Sequence, residues 1–124
     1  MAHFAELDID NTVIRVIVID NDNILNAAGK EVEDKGIDYC KELFGEDTKW
    51  KQCSFNSSFR KNFPSSIFSY DEDRDAFLPP RPFDSYTLNE VTCQWEAPEP
   101  YPEDGNYYVW DEENLTWKYM GVNI

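Results

Sequence analysis

The 124-residue sequence predicts a β-rich α+β fold, with antiparallel hairpins in tandem and one short α-helix. Three observations predict it. One short phrase is written three times between residues 68 and 119, a β-branched run fills residues 12–19, and a single apolar stripe of helical period lies in residues 33–44. Length bounds the chain to one domain, 1–124, read as an N-terminal hairpin, helix and strand (1–66) followed by three hairpin repeats (67–124).

The repeated phrase is a large apolar residue, Asp or Asn, Glu, four variable residues and an aromatic. Tyr70-Asp71-Glu72 with Phe77 is the first copy, Leu88-Asn89-Glu90 with Trp95 the second, and Trp110-Asp111-Glu112 with Trp117 the third. The two apolar anchors are seven residues apart each time, and the copies recur at intervals of 18 and 22 residues. If the anchors face each other across two antiparallel strands, a four-residue loop joins them and the next residues outward pair on the same face. That register pairs Tyr70 with Phe77, Leu88 with Trp95, Tyr86 with Ala97, Trp110 with Trp117 and Tyr108 with Tyr119. An Asp or Asn side chain at the loop entrance accepts from the backbone N–H groups that follow it, which favours a turn there. Leu88, Trp95, Trp110 and Trp117 are expected in register and mostly buried.

From the N-terminus, residues 3–19 read as a fourth hairpin, with a two-residue turn at Asp10 and Asn11 that pairs Leu7 with Ile14. Its second strand is nearly continuous in Val and Ile and is expected to be central and buried on both sides, with Arg15 near an edge or snorkelling to water. Residues 20–32 are a polar connection. Residues 33–44 are the helix: Ile37, Cys40, Leu43 and Phe44 make its stripe, Glu33 and Asp34 suit its first turn, and Gly45 stops it. Gly36 in its interior weakens it by roughly 1 kcal/mol relative to Ala. Residues 50–55 alternate weakly and read as a strand. Phe59, Arg60 and Lys61 form the one basic spot of an acidic chain, as an interface knob or as a balance for nearby carboxylates.

Composition excludes several function classes. A net charge of −14 opposes binding to nucleic-acid phosphates, and no run of apolar residues approaches a membrane span. Residues 1–7 lack the basic-then-apolar pattern of a secretory leader, so none is expected. Asp71, Asp73 and Asp75 open like a calcium loop, but Ala76 and Pro82 stand where such a loop needs Gly and Glu. Cys40, Cys53 and Cys93 are too far apart for a zinc motif and are expected as reduced, buried thiols. His3 is the only histidine, and phosphate loops and nucleophile elbows are missing from the sequence. No enzyme, cofactor, catalytic residue or metal is therefore expected. The 15% aromatic content is high for a small hairpin protein; the rings are expected to form the core of the stacked hairpins, with exposure of some for recognition as the alternative. The binding candidates are Phe59, Arg60, Lys61, Tyr86, Trp95, Tyr101, Tyr108, Trp110 and Trp117.

Several phrases carry a resemblance: Met1-Ala2-His3-Phe4-Ala5-Glu6-Leu7-Asp8, Phe59-Arg60-Lys61-Asn62, Arg74-Asp75-Ala76-Phe77, Pro79-Pro80, Leu88-Asn89-Glu90 and Tyr108-Val109-Trp110-Asp111-Glu112. Together they resemble small uncharacterised proteins of marine tailed phages, including those of cyanobacteria. The closing proline-plus-hairpin phrase is similar to the ends of phage tail-fibre assembly proteins. Where the family pattern has a glycine-rich segment before Tyr70, this chain has Phe63-Pro64-Ser65-Ser66-Ile67. The resemblance implies a protein made in the bacterial host cytoplasm and carried in the virion. The expected function is non-enzymatic: a structural, decoration, tail or fibre component, or an assembly factor, that contacts other phage structural proteins or itself as an oligomer. The alternatives are a carbohydrate-binding module on the virion surface, with a glycan as ligand, and an intracellular phage protein that binds a host factor. Neither nucleic acid nor membrane is an expected partner.

Overall fold

The computed structural model describes residues 1–122. Strand outweighs helix, 37% to 12%, and every sheet is antiparallel, so the β-rich α+β class holds. Where one domain is expected, the chain forms two compact units, Met1–Pro80 and Arg81–Ile124. The division falls inside the tandem-hairpin segment, and the first repeat belongs with the N-terminal unit.

The first unit is built around β1 (Ala2–Leu7), flanked by β2 (Val13–Ile19) and β3 (Lys49–Cys53) in the order β2-β1-β3. The centre of the sheet is thus β1, and the β-branched β2, expected there, lies at an edge. Small residues explain the exchange: Ala2 and Ala5 let cover approach both faces of β1, whereas β-branching marks fit to a sheet and not burial. One face carries Ala2 and Phe4 against Ile19, Ile24, Cys40 and Trp50. The other carries Ala5 and Leu7 against Val13, Cys53, Tyr70 and Phe77.

The β1–β2 turn also differs from expectation. Asp8 Oδ1 accepts from the N–H groups of Asp10 (2.8 Å) and Thr12 (2.9 Å), and Asn11 takes a left-handed φ of 65°. This longer turn is absorbed by an irregularity between Glu6 and Leu7, so Leu7 pairs with Val13 in place of Ile14. The shift decides which side chain enters the core: Val13 is 2% exposed and Ile14 46%.

The helix α1 (Glu33–Phe44) matches the sequence bounds, and Gly45 ends it with φ 121° and an N–H donated to Lys41 O at 2.8 Å. Its buried contact is Gly36 and Cys40, while Leu43 and Phe44 stay largely exposed. Gly36 is required by packing: a Cβ there would lie 2.2 Å from Cζ of the fully buried Phe4.

The hairpin β4 (Ser69–Asp71) and β5 (Ala76–Leu78) covers the other face. Its approach is fixed to the edge of β2: Val13 N–H donates to Phe68 O (2.7 Å) and Ile67 N–H to Val13 O (3.0 Å). Ile67 makes this bend with φ 69°, a conformation that a β-branched residue adopts only under constraint.

The second unit holds two hairpins, β6 (Thr87–Leu88) with β7 (Trp95–Glu96), and β8 (Asn106–Asp111) with β9 (Thr116–Val122). The expected pairs Tyr70–Phe77, Leu88–Trp95, Trp110–Trp117 and Tyr108–Tyr119 are all present. Tyr86 and Ala97 do not extend the second ladder, which begins at Thr87–Glu96.

The loops repeat as backbone as well as sequence. The residue at the entrance (Asp71, Asn89, Asp111) accepts through its side chain from the N–H three residues on: Arg74 at 3.0 Å, Thr92 at 3.1 Å and Asn114 at 3.2 Å. The fourth residue (Asp75, Cys93, Leu115) is left-handed each time, with φ of 50°, 56° and 52°. A four-residue turn closed by a left-handed residue brings the strands back into register seven apart.

Candidate binding site

In the first unit the basic spot is an internal tie. Arg60 and Lys61 both take left-handed φ, 54° and 64°. The Arg60 side chain is 14% exposed and donates to Glu33 from both terminal guanidinium nitrogens, to Asp75 from Nε at 2.8 Å and to the Gln52 carbonyl at 2.9 Å. It joins α1, β3 and the β4–β5 loop. Burial opposes the charge of Arg60, but its carboxylate partners reverse this and raise its pKa. Glu33 likewise overcomes its desolvation, through bonds from Arg60 and the Gln52 N–H, and is held below the ordinary carboxylate value. Asp75 is lowered by the Tyr70 hydroxyl and then by Arg60, while burial and the Asp75 bond push Tyr70 up to about 12. Asp71, at the entrance of the first loop, is occupied in the same way, accepting from Arg74 Nη1 at 2.6 Å. Lys61 is exposed and bridges Phe77 through its backbone. Phe59 is half exposed at the rim of a 310 Å³ cleft that also holds His3, Phe55 and Ser54.

Cysteine chemistry is muted. Burial pushes Cys40 up to about 11, helped by the Glu6 charge, and pushes Cys53 up to about 12 against the opposing Arg60 charge. Both thiols stay protonated near neutral pH, which removes their nucleophilic form. Among the described residues there is no group of three or more His, Cys, Asp or Glu side chains placed to hold a metal ion.

The second unit gathers most of the remaining candidates into one continuous aromatic row. Tyr86 meets Trp110 at 5.6 Å between ring centroids, Trp110 meets Trp117 at 5.1 Å, and Trp117 meets Tyr101 at 5.0 Å. Tyr101 then meets Tyr108, and Tyr108 meets Tyr119, each at 5.8 Å. Every one of these contacts is edge-to-face, with interplanar angles of 72–89°. The row arises because the register places Tyr108, Trp110, Trp117 and Tyr119 on one face of β8–β9, and the segment before β8 lays Tyr101 across them.

Polar groups fix the rings. Glu112 accepts from Trp110 Nε1 (2.8 Å), the Ser85 hydroxyl (2.6 Å) and the Ser85 N–H (3.0 Å), which lowers its pKa. Trp117 Nε1 donates to Glu99 O at 2.8 Å, and the Tyr108 hydroxyl to Asp104 at 2.5 Å. Of the four expected anchors, Trp110 is buried, while Leu88, Trp95 and Trp117 are only half-buried. The Arg81 guanidinium lies 5.3 Å from the centroid of the Trp95 ring.

A cleft of about 400 Å³ opens beside the row, lined by Glu96, Pro98, Glu99, Pro100, Tyr101 and Trp117. Sequence reasoning missed its carboxylates, although the Pro-Glu-Pro spacing could have shown that Glu99 is presented on an extended segment. It also missed the exposure of Tyr107, Val109, Met120 and Val122 on the hairpin β8–β9. The register shift at Tyr107/Tyr108 has no sequence signal. No protein-family model, curated protein or solved structure matches this chain.

Proposed function

We propose that the chain is a non-enzymatic protein of a tailed-phage virion, a structural, decoration, tail or fibre component or an assembly factor, acting through protein–protein contacts. The sequence resemblance supports the viral setting. The observation that carries the mode of action is the hairpin β8–β9. It is a two-stranded sheet with aromatics on one face and exposed Tyr107, Val109, Met120 and Val122 elsewhere on its surface. Two-stranded sheets are marginal alone, and their edges present unpaired backbone groups, so added strand or surface from a partner stabilises them. A protein carrying −14 charges repels its own copies, which favours a different virion protein as neighbour.

Purified particles of the phage that encodes the chain, cross-linked and analysed by mass spectrometry, test the proposal. The expected result is the chain in the particle at fixed copy number, with cross-links from residues 81–122 to a neighbouring protein. A chain that never enters particles, or that enters and cross-links to nothing through those residues, overturns it.

A further inference from the structure

We propose that the cleft beside Trp117 receives an arginine-bearing, extended segment of the partner; this rests on the protein–protein reading above and names the partner's chemistry. Three features of the cleft converge on a guanidinium. Its floor is aromatic, from Trp117 and the half-exposed Tyr101, and guanidinium planes stack on such rings. Its walls carry two carboxylates, Glu96 and Glu99, and bidentate pairing with carboxylates is the other interaction for which guanidinium geometry is suited. Its surroundings are strongly anionic: from Arg81 onward the chain has nine Asp and Glu against Arg81 and Lys118, a formal net charge of −7. Such a field draws a cationic segment and speeds its encounter.

The shape of the cleft favours an extended chain. Pro98 and Pro100 hold their segment open, and the bond from Trp117 Nε1 to Glu99 O fixes its backbone against the hairpin. The unit already contains the same chemistry in miniature. Arg81 stacks over Trp95 while donating from Nη2 to the carbonyls of Asp84 (2.6 Å) and Tyr86 (2.7 Å). In the cleft, the partner supplies the arginine.

The experiment uses the full chain and two synthetic peptides of equal length and charge, one carrying two arginines and the other two lysines, each in a Gly/Ser background. Binding is followed by calorimetry at two salt concentrations. The arginine peptide is expected to bind about tenfold more tightly than the lysine peptide, because lysine neither stacks nor forks. Glu99→Gln is expected to weaken the arginine peptide about tenfold, while Glu113→Gln, the same charge change on the exposed hairpin loop, changes it less than about twofold. Trp117→Phe, which keeps a ring in the row, reports the stacking contribution by an intermediate loss. Equal binding of the two peptides, or equal weakening by Glu99→Gln and Glu113→Gln, would mean bulk charge attraction and overturns the assignment. So does a lack of binding by the arginine peptide. The virion cross-linking stands apart from this result. Particles in which residues 81–122 meet a neighbour elsewhere keep the functional proposal and sink the cleft. Arginine-selective binding by a chain that never enters particles does the reverse.

Discussion

The hairpins β4–β5 and β8–β9 are written in the same phrase, turn through the same loop and pair their anchors in the same register, yet they end in different places. The first becomes core. Tyr70 and Phe77 disappear beneath the central strand of the first unit, and Phe77 is 0% exposed. The third stays at the surface: Trp110 is buried, Trp117 half-buried, and Tyr119 exposed. The difference comes from what each hairpin is tied to. The first is bonded to the edge of β2 through Val13, Ile67 and Phe68, and its loop is locked by Arg60 through Asp75. The third is fastened by its own extension, through Tyr101, Asp104 and Glu112. A phrase of this kind encodes a hairpin; the tethers outside it decide whether the hairpin fills a core or offers a surface.

Alanine at the first anchor should have the largest effect. Phe77→Ala removes a fully buried ring and is expected to cost about 4 kcal/mol in denaturant unfolding of the first unit. A loss below about 1 kcal/mol would show that the first hairpin is not core.

Next comes the tether. Arg60→Leu leaves Glu33 and Asp75 without their cation and is expected to cost about 3 kcal/mol, at the low end for a buried pair because Glu33 keeps 26% and Asp75 61% of its side chain in water. The same contact sets a pH dependence. Glu33 and Asp75 are both held below their ordinary values of 4.5 and 3.8, so the unfolded chain takes up the protons first. Their contribution is complete above those values and is lost as pH falls through the lowered ones. Unfolding midpoints measured between pH 6 and pH 2.5 should fall steeply for the natural chain and less steeply for Arg60→Leu; parallel curves would remove the network from the account.

Gly36→Ala separates propensity from packing. On propensity alone it stabilises α1 by about 1 kcal/mol. With Phe4 in the way, a net loss of about 2 kcal/mol is expected in thermal unfolding, and any gain contradicts the observed approach. At the third hairpin, Trp117→Ala should cost about 1–2 kcal/mol, since the ring is only half-buried. Smallest is Leu115→Gly. Leu115 is half exposed and left-handed, so glycine should add up to about 1 kcal/mol to the second unit by relieving strain. A loss there would mean that the Leu115 side chain has a packing role.

Much of this was legible in residues. The phrase gave four of the five predicted cross-strand pairs because the spacing of two facing anchors is set by loop geometry, which is local. The helix bounds were legible because acidic residues and a glycine mark its two ends. Burial was not legible in the same way. Val13–Ile19 reads as a central strand, yet the position of a strand within a sheet depends on which partners cover it, and Ala2 and Ala5 signal that only once the covers are known. The left-handed loop positions escaped because Asp75, Cys93 and Leu115 are not glycine. At the candidate site the rings were visible one by one, and their joining into a row through Tyr101 depends on a proline-held segment whose path the sequence does not specify. Arg60 was seen as a charge among aromatics; its role as a tie depends on Glu33, 27 residues away.

Native-state hydrogen exchange on the isolated chain tests the contrast between the two hairpins most directly, because it reads both in one sample. The amides of Tyr70 and Phe77, bonded to Asn11 O and Arg60 O, should exchange only with global opening of the first unit. The amides of β8–β9 should exchange at least about tenfold faster, through local opening. Equal protection of the two hairpins in the isolated chain would contradict the account, since the third copy would then be as fully settled in its own unit as the first.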